Sequence, residues 1–513
     1  MGPANGSGQA LLGILWRVGF EENPRAFIHT TSIENTPLAG ISLPNQITTS
    51  PFSATDEYNE TNSMKKTPPR IAPLIWTSII LFCALGLHAK PSFTVQSDEP
   101  TGIYAPGQQA TFTIRPIEGG EAKSTATVQI LRDFSGTPLA EDSFTEGSTS
   151  LEIPFTSTEH GWFVCTTKLP DQKFSSGASG VLYNPDAFQP AYPMPEDFDE
   201  FWATQKDRLA SNPAQPILTE LSPEQLEIAT DKPYLAKNIA NRSAEGYQFF
   251  NLEIPCLDYR PVRGYYVMPP NAEPGKHPVI VLFHAAGVSG KWCRANLNKA
   301  LLYAQKYNAI VLDINAHGML NDQPQSYYDE LAKELEDYQH RGMENRESYY
   351  LLGMYLRLMR AIDFLCDQPE WDGKNLICYG PSQGGAQALA AAGLDSRVSI
   401  VCALVPATCN IAGTPGGWPA REWGESTYQP QVVEALRYFD ATNFCQRSQA
   451  ATVMTVGLID SVCPPPGVYA AYHQIDAPKL MIPMPNTGHA GGSSLKPSIR
   501  EPVETFIQKH MKE

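Results

Sequence analysis

The pentapeptide Gly380-Pro381-Ser382-Gln383-Gly384 follows the apolar run Leu376-Ile377-Cys378-Tyr379 and opens a small-residue stretch from Ala386 to Ala392. A strand entering a tight turn and leaving as a helix would project the Ser382 hydroxyl outward, with the flanking glycines leaving room for backbone packing. Gly and Ser are common, so the pentapeptide alone carries little. The strand before it and the helix after it favour a nucleophile over a structural turn. A serine hydroxyl is barely ionised at neutral pH and needs a base within hydrogen-bond reach before it can attack a carbonyl. His489, in Pro485-Asn486-Thr487-Gly488-His489 after the last expected strand, meets that need. The competing reading is a surface-loop histidine, while His473 falls in a helical pattern and His510 in the terminal tail. Asp460 follows the expected strand Thr452 to Gly457, where its carboxylate would fix the imidazole tautomer and stabilise the imidazolium. Its competing reading is an Asp that caps the next helix, and Asp476, beyond that helix, is the rival acid.

A tetrahedral intermediate also needs main-chain N–H groups aimed at its oxyanion. One comes from the residue after the nucleophile, Gln383, and the other from the loop His284-Ala285-Ala286-Gly287 after the apolar strand Val279 to Phe283, where Ala286 is the expected donor. His284 reads as a packed loop residue.

The elements that must position these residues alternate. Strands are expected at Phe249 to Ile254, Gly264 to Val267, Val279 to Phe283, Ala309 to Ile314, Asn375 to Tyr379, Ile400 to Leu404, Thr452 to Gly457 and Lys479 to Ile482. Helices are expected near Cys293 to Lys306, Arg346 to Cys366, Gln383 to Ala392, Pro466 to Gln474 and Pro497 to Lys512. This rhythm predicts an α/β fold, a mostly parallel sheet covered on both faces, with active residues at the carboxyl ends of its strands. Upstream, short β-branched runs at Ala110 to Arg115, Ala126 to Leu131, Ser150 to Phe155, Gly161 to Thr167 and Gly180 to Tyr183, punctuated by Gly, Pro, Asp and Ser, predict a small all-β sandwich. That sandwich is expected to pack on the catalytic unit as a spacer or lid, with carbohydrate binding as the alternative. A Pro-rich linker from Tyr183 to Pro193 then leads into a helix near Pro195 with Phe198, Phe201, Trp202 and Leu209 at helical spacing.

At the amino end, Lys65, Lys66 and Arg70 precede an apolar run from Leu74 to Leu87 that ends at Ala89. The run is about 14 residues, short of the roughly 20 a spanning helix needs, so it reads as a signal peptide cleaved near Ala89 rather than an anchor. The mature form is therefore expected to be exported, periplasmic or secreted, without a stable membrane span. Residues 1–63 read as a non-native or disordered upstream extension, with translation starting at Met64. The expected organisation is 1–63 extension, 64–89 signal peptide, 90–184 β-sandwich and 185–513 catalytic domain.

The chain has 513 residues, 42% hydrophobic and 18% charged, which is a globular balance. Its formal net charge of −16 disfavours nucleic acid as a partner, and no basic patch interleaved with aromatics is present. The 10 cysteines form no C-x-x-C pair, so neither a metal site nor a dense disulfide framework is indicated, although one or two bridges stay open.

At these residues the sequence resembles carbohydrate esterase family 7, the acetyl xylan esterases and cephalosporin C deacetylases, which have the α/β-hydrolase fold. The resemblance covers roughly Pro193 to Lys512. It rests on Gly380-Pro381-Ser382-Gln383-Gly384-Gly385, Ala391 to Val398, Asp460-Ser461-Val462-Cys463-Pro464-Pro465 with Val468 to Tyr472, and the opening helix Pro195 to Trp202. It implies a serine esterase that removes acetyl groups from carbohydrate esters, with the triad on Ser382, Asp460 and His489, the oxyanion amides on Gln383 and Ala286, and no metal or cofactor. Where the family has Arg-Gly-Gln and His-Glu, this chain has Asn315-Ala316-His317 and His489-Ala490. Those departures and the added β domain bear on acetyl selectivity and on whether the chain joins the closed hexamers common in the family, so a homo-oligomer stays open. The rival functions are a serine peptidase of the same superfold and a catalytically silent carbohydrate-binding protein.

Overall fold

Strands β12 (His277–Leu282), β13 (Ile310–Ile314), β15 (Ile400–Leu404) and β16 (Ala451–Gly457) are buried at every residue, as expected of runs such as Val-Ile-Val-Leu packed by helices on both faces. In the computed structural model, which describes residues 92–172, 175–222, 224–226, 244–411, 413, 429–492 and 496–512, they form the middle of a nine-stranded sheet. Its other strands are β9 (Ile217–Glu220), β10 (Gln248–Cys256), β11 (Tyr259–Met268), β14 (Trp371–Pro381) and β17 (Lys479–Met484). The spatial order is β17-β16-β15-β14-β12-β13-β11-β10-β9. The six strands from β13 to β17 along that order are parallel, and β11, β10 and β9 extend the edge in antiparallel pairs. One apolar core lies on each face. The fold class expected from the alternating pattern is the fold observed.

The upstream strands form two sheets: β1 (Phe93–Ser97), β3 (Gln109–Pro116) and β6 (Leu151–Thr156) in one; β2 (Ile103–Tyr104), β8 (Gly177–Tyr183), β7 (Gly161–Lys168), β4 (Ala126–Arg132) and β5 (Ser135–Phe144) in the other. Strands β1, β3 and β4 alternate buried and less buried residues, facing one shared core. Strand β7 does not alternate; every residue from Gly161 to Thr167 is buried. The reason is a second partner: Phe163 and Cys165 face the sandwich core, while Trp162 and Val164 join the core of the large sheet. Leu182 on β8 does the same.

The stretches read as extension and signal peptide, 1–63 and 64–89, lie outside the described residues. Among the described residues no helix is long and apolar enough to cross a membrane. The nine described cysteines are free thiols, so the bridges left open above do not form among them.

Candidate active site

Ser382 sits between β14 and the helix Gln383–Leu394 at φ 55° and ψ −121°, a conformation that ordinary side chains avoid at a cost on the order of 1–3 kcal/mol. Glycines make the turn affordable. A Cβ on Gly380 would come within 2.4 Å of Gly384, and one on Gly384 would come within 2.8 Å of Phe283 and 2.9 Å of His284. The helix behind the serine therefore rests directly on the loop after β12, which sets the elements bearing Gln383 and Ala286 side by side.

His489 follows β17 and opens the short helix His489–Gly492. Its Nε2 lies 2.9 Å from Ser382 Oγ and its Nδ1 lies 2.8 Å from Asp460 Oδ2. Asp460, at the end of β16, is fully buried, and its other oxygen accepts the main-chain N–H groups of Val462 (2.8 Å) and Cys463 (2.9 Å). Burial by itself would lower the His489 pKa. The adjacent Asp460 carboxylate outweighs it and holds the imidazole well above the ordinary histidine value. The neighbouring Cys463 thiol is pushed up to about 11 by burial, so it stays neutral at working pH. Three side chains far apart in sequence thus meet in one proton path. The two rival histidines stay away from it: His473 bonds the Pro185 carbonyl and His510 packs on Phe506. The rival acid Asp476 is exposed.

The turn after Ser382 and the loop that carries Ala286 are braced by residues that sequence reasoning missed. Tyr338 donates its hydroxyl to Gln383 Oε1 at 2.6 Å and accepts the Gly287 N–H at 3.4 Å, tying the turn after Ser382 to the loop that carries Ala286. Trp292 Nε1 holds the Ala286 carbonyl at 3.0 Å. The ring of Tyr338 packs edge-on against His317, whose nitrogens face Tyr350 Oη at 2.9 Å and the Gly287 carbonyl at 3.1 Å. Burial drops the His317 pKa to about 3, so it serves as a neutral strut. The divergent triplet Asn315-Ala316-His317 is accordingly a bracing unit: the Ala316 carbonyl receives two bonds from Arg357, and Asn315 links Ala295, Met319 and Asn321. No motif marks Tyr338 in the sequence; only the fold brings it to Gln383.

The upstream sandwich reaches the same machinery. Trp162 Nε1 donates to the Leu458 carbonyl at 2.7 Å, two residues before Asp460. The Gly180 N–H bonds the Pro485 carbonyl at 2.8 Å, and Asn486 Nδ2 bonds the Val95 carbonyl, both ahead of His489. Gly180 has no alternative: a Cβ there would lie 1.8 Å from the Leu458 oxygen.

A model of the acetyl xylan esterase family (AXE1) matches residues 182–413 and 422–507. The acetyl esterase Axe7A of Xylanibacter ruminicola is 29% identical over 317 residues, covering 60% of this chain, which in turn spans 66% of that relative's length. Among solved structures, an acetyl xylan esterase from Paenibacillus sp. R4 is similar at 27% identity and TM-score 0.51, over 64% of this chain and 98% of that one. Acetyl xylan esterase 1 from Thermoanaerobacterium sp. JW/SL YS485 shares the fold over the same portions at 21% identity and TM-score 0.51.

Proposed function

Because this chain belongs to the acetyl xylan esterase family, we propose that it hydrolyses acetyl and other short acyl esters of carbohydrate, such as acetylated xylan or its oligosaccharides, by an acyl-serine mechanism. The observation that carries the reading is the continuous path from Asp460 through His489 to Ser382, with contacts of 2.8 and 2.9 Å. In it, His489 Nε2 takes the Ser382 proton as Oγ attacks the ester carbonyl, and the Gln383 and Ala286 amides hold the oxyanion. Collapse of the tetrahedral species expels the sugar alcohol, which leaves with the proton from the imidazolium. Water, deprotonated by the same imidazole, then attacks the acyl-serine, releasing the carboxylic acid and restoring Oγ–H. These steps need no metal or organic cofactor.

The basic-then-apolar order from Lys65 to Ala89 supports export with cleavage near Ala89, and the change from sandwich to parallel sheet supports a division at residues 184 and 185. The test of the central reading is Ser382→Ala assayed on 4-nitrophenyl acetate and acetylated xylo-oligosaccharides. Activity should fall on the order of 10⁶-fold, as when a triad nucleophile is removed. Near-full retention would eliminate the serine mechanism.

A further inference from the structure

A cavity of about 200 Å³ lies between the upstream sandwich, the linker and the catalytic unit. Arg132, Asp133 and His160 line it from the sandwich, Phe188 and Gln189 from the linker, and Asn410 from the loop after β15. We propose that this cleft is a subsite for one sugar residue of a neutral oligosaccharide, holding the glycan whose ester the triad cleaves. The proposal rests on the esterase reading above and names where the rest of the substrate goes.

Four observations carry it. The first is position. Ala407 N–H bonds the Ser382 carbonyl at 3.0 Å, and the Cys463 thiol lies against His489. Asn410 and Pro466, both in the cleft wall, follow those two residues by three positions each, which an extended chain spans in about 10 Å. The cleft wall therefore lies within about 10 Å of residues that touch the triad.

The second is chemistry. The lining offers a guanidinium, a carboxylate, an imidazole and two amides beside one aromatic ring, a mixture of donors and acceptors suited to sugar hydroxyls with an apolar face for the ring. Arg132 Nε stands 3.9 Å from Asp133, and Arg132 Nη1 bonds Glu159 at 3.1 Å, so the charges offset and no anion or cation is singled out. The volume falls below the roughly 300–1,000 Å³ that encloses drug-sized ligands, as a subsite for one residue of a longer chain should.

The third is rigidity on the catalytic side. Asn410 is only 8% exposed, its N–H is held by Asp440 at 2.9 Å, and its Oδ1 accepts the linker N–H of Ala191 at 2.8 Å. The fourth is strain on the sandwich side. Asp133 and Phe134, the turn between β4 and β5, both adopt positive φ, 53° and 60°, where Asn-Gly is the usual pair. Phe134 packs on Trp162 at the junction, and Asp133 is thereby presented to the cleft. Consecutive strained residues that survive at the wall of a polar cavity point to a role beyond the turn.

The test uses the full chain and two variants, Arg132→Gln and Phe188→Ala, both at partly exposed positions. On acetylated xylo-oligosaccharides of four to six residues each variant should lose about tenfold in kcat/KM, the scale of a hydrogen bond to a charged group for Arg132 and of a lost aromatic contact for Phe188. On 4-nitrophenyl acetate, which brings no sugar to the cleft, both should match the parent, which also reports that they fold. A calorimetric arm measures unmodified xylotetraose binding in the Ser382→Ala background, where each added substitution should weaken binding to the same degree. Equal losses on both esters, or unchanged turnover and binding in both variants, would overturn the subsite while leaving the esterase reading intact. Binding that depends on Arg132 and Phe188 in a parent that hydrolyses neither ester would sustain the subsite and overturn the esterase reading.

Discussion

Two buried His–Asp pairs stand among the described residues, and only one of them faces a serine. His489 and Asp460 join the ends of β17 and β16; His284 and Asp313 join the ends of β12 and β13. Both aspartates are fully buried. The histidines differ: the His489 side chain keeps 21% of its exposure and has Ser382 Oγ on its far nitrogen, whereas His284 keeps 6%. Asp313 spends its second oxygen on the Asn296 N–H at 3.1 Å, locking the loop after β12 to the start of the helix Leu297–Tyr307. Asp460 spends its second oxygen on its own loop. The His284–Asp313 pair is thus a structural fastener. The His489–Asp460 pair has the geometry of a proton relay, its outer nitrogen reaching a hydroxyl and its ring meeting solvent.

The comparison breaks first at the two histidines. His489→Ala should cut kcat/KM on 4-nitrophenyl acetate by ~10⁶, as loss of a triad base does. His284→Ala should leave the assay within tenfold yet lower unfolding free energy by about 3 kcal/mol, because a buried carboxylate loses its partner. Urea denaturation beside steady-state kinetics separates the two effects, and a collapse of activity in folded His284→Ala would erase the distinction.

The acids sharpen it next. Asp460→Asn should cost ~10⁴ in kcat by favouring the wrong tautomer. It should also move the pH profile. Only neutral His489 is a base, so activity falls as pH drops through its pKa, and a pKa raised by Asp460 places that limb above the ordinary histidine value of about 6.5. Removing the carboxylate charge should shift the limb to lower pH. Asp313→Asn should leave the limb where it is.

The meeting of Ser382, His489 and Asp460 was legible in sequence because such a cluster imposes local pattern: a strand, a glycine-flanked serine, a helix, then acid and base after later strands. The sheet was legible because Val279 to Phe283 and Ile400 to Leu404 are too apolar and too short to be anything but doubly buried strands. Strand β5 escaped because it is mostly exposed, carries Pro138 and two acids, and shows no alternation. The helices Pro430–Leu436 and Ala441–Arg447 escaped because they span only 7 residues each, and Gln325–Glu334 because it buries only Tyr328 and Leu331 and shows little apolar pattern. The helix expected from Cys293 begins at Leu297, where Asn296 caps it by accepting the Lys299 N–H. Tyr338 and Trp162 were illegible for a deeper reason: each acts through a carbonyl, an amide or an N–H contributed by a segment 45 or more residues away.

Tyr338 tests how far the bracing matters. Tyr338→Phe removes the tie between Gln383 and Gly287 while keeping the ring against His317. A roughly tenfold fall in kcat with little change in KM is expected, below the ~10²–10³ of deleting an oxyanion donor itself. A matching loss in affinity for a boronic acid mimic of the tetrahedral intermediate would place the defect at the oxyanion.

The smallest effect should come from the sandwich. Trp162→Phe keeps most of the buried ring but leaves the Leu458 carbonyl without its indole donor. An unsatisfied buried acceptor costs about 1–3 kcal/mol, and relaxation of the loop that bears Asp460 should lower kcat two- to threefold. If the relay owed its geometry to β16 and β17 alone, thermal stability would drop and kcat would hold. A joint decline, with the acid limb of the pH profile moving toward ordinary histidine, means that the upstream sheet helps keep Asp460 against His489. His284 and Asp313 lie beyond its reach, so the same substitution should leave their pair undisturbed.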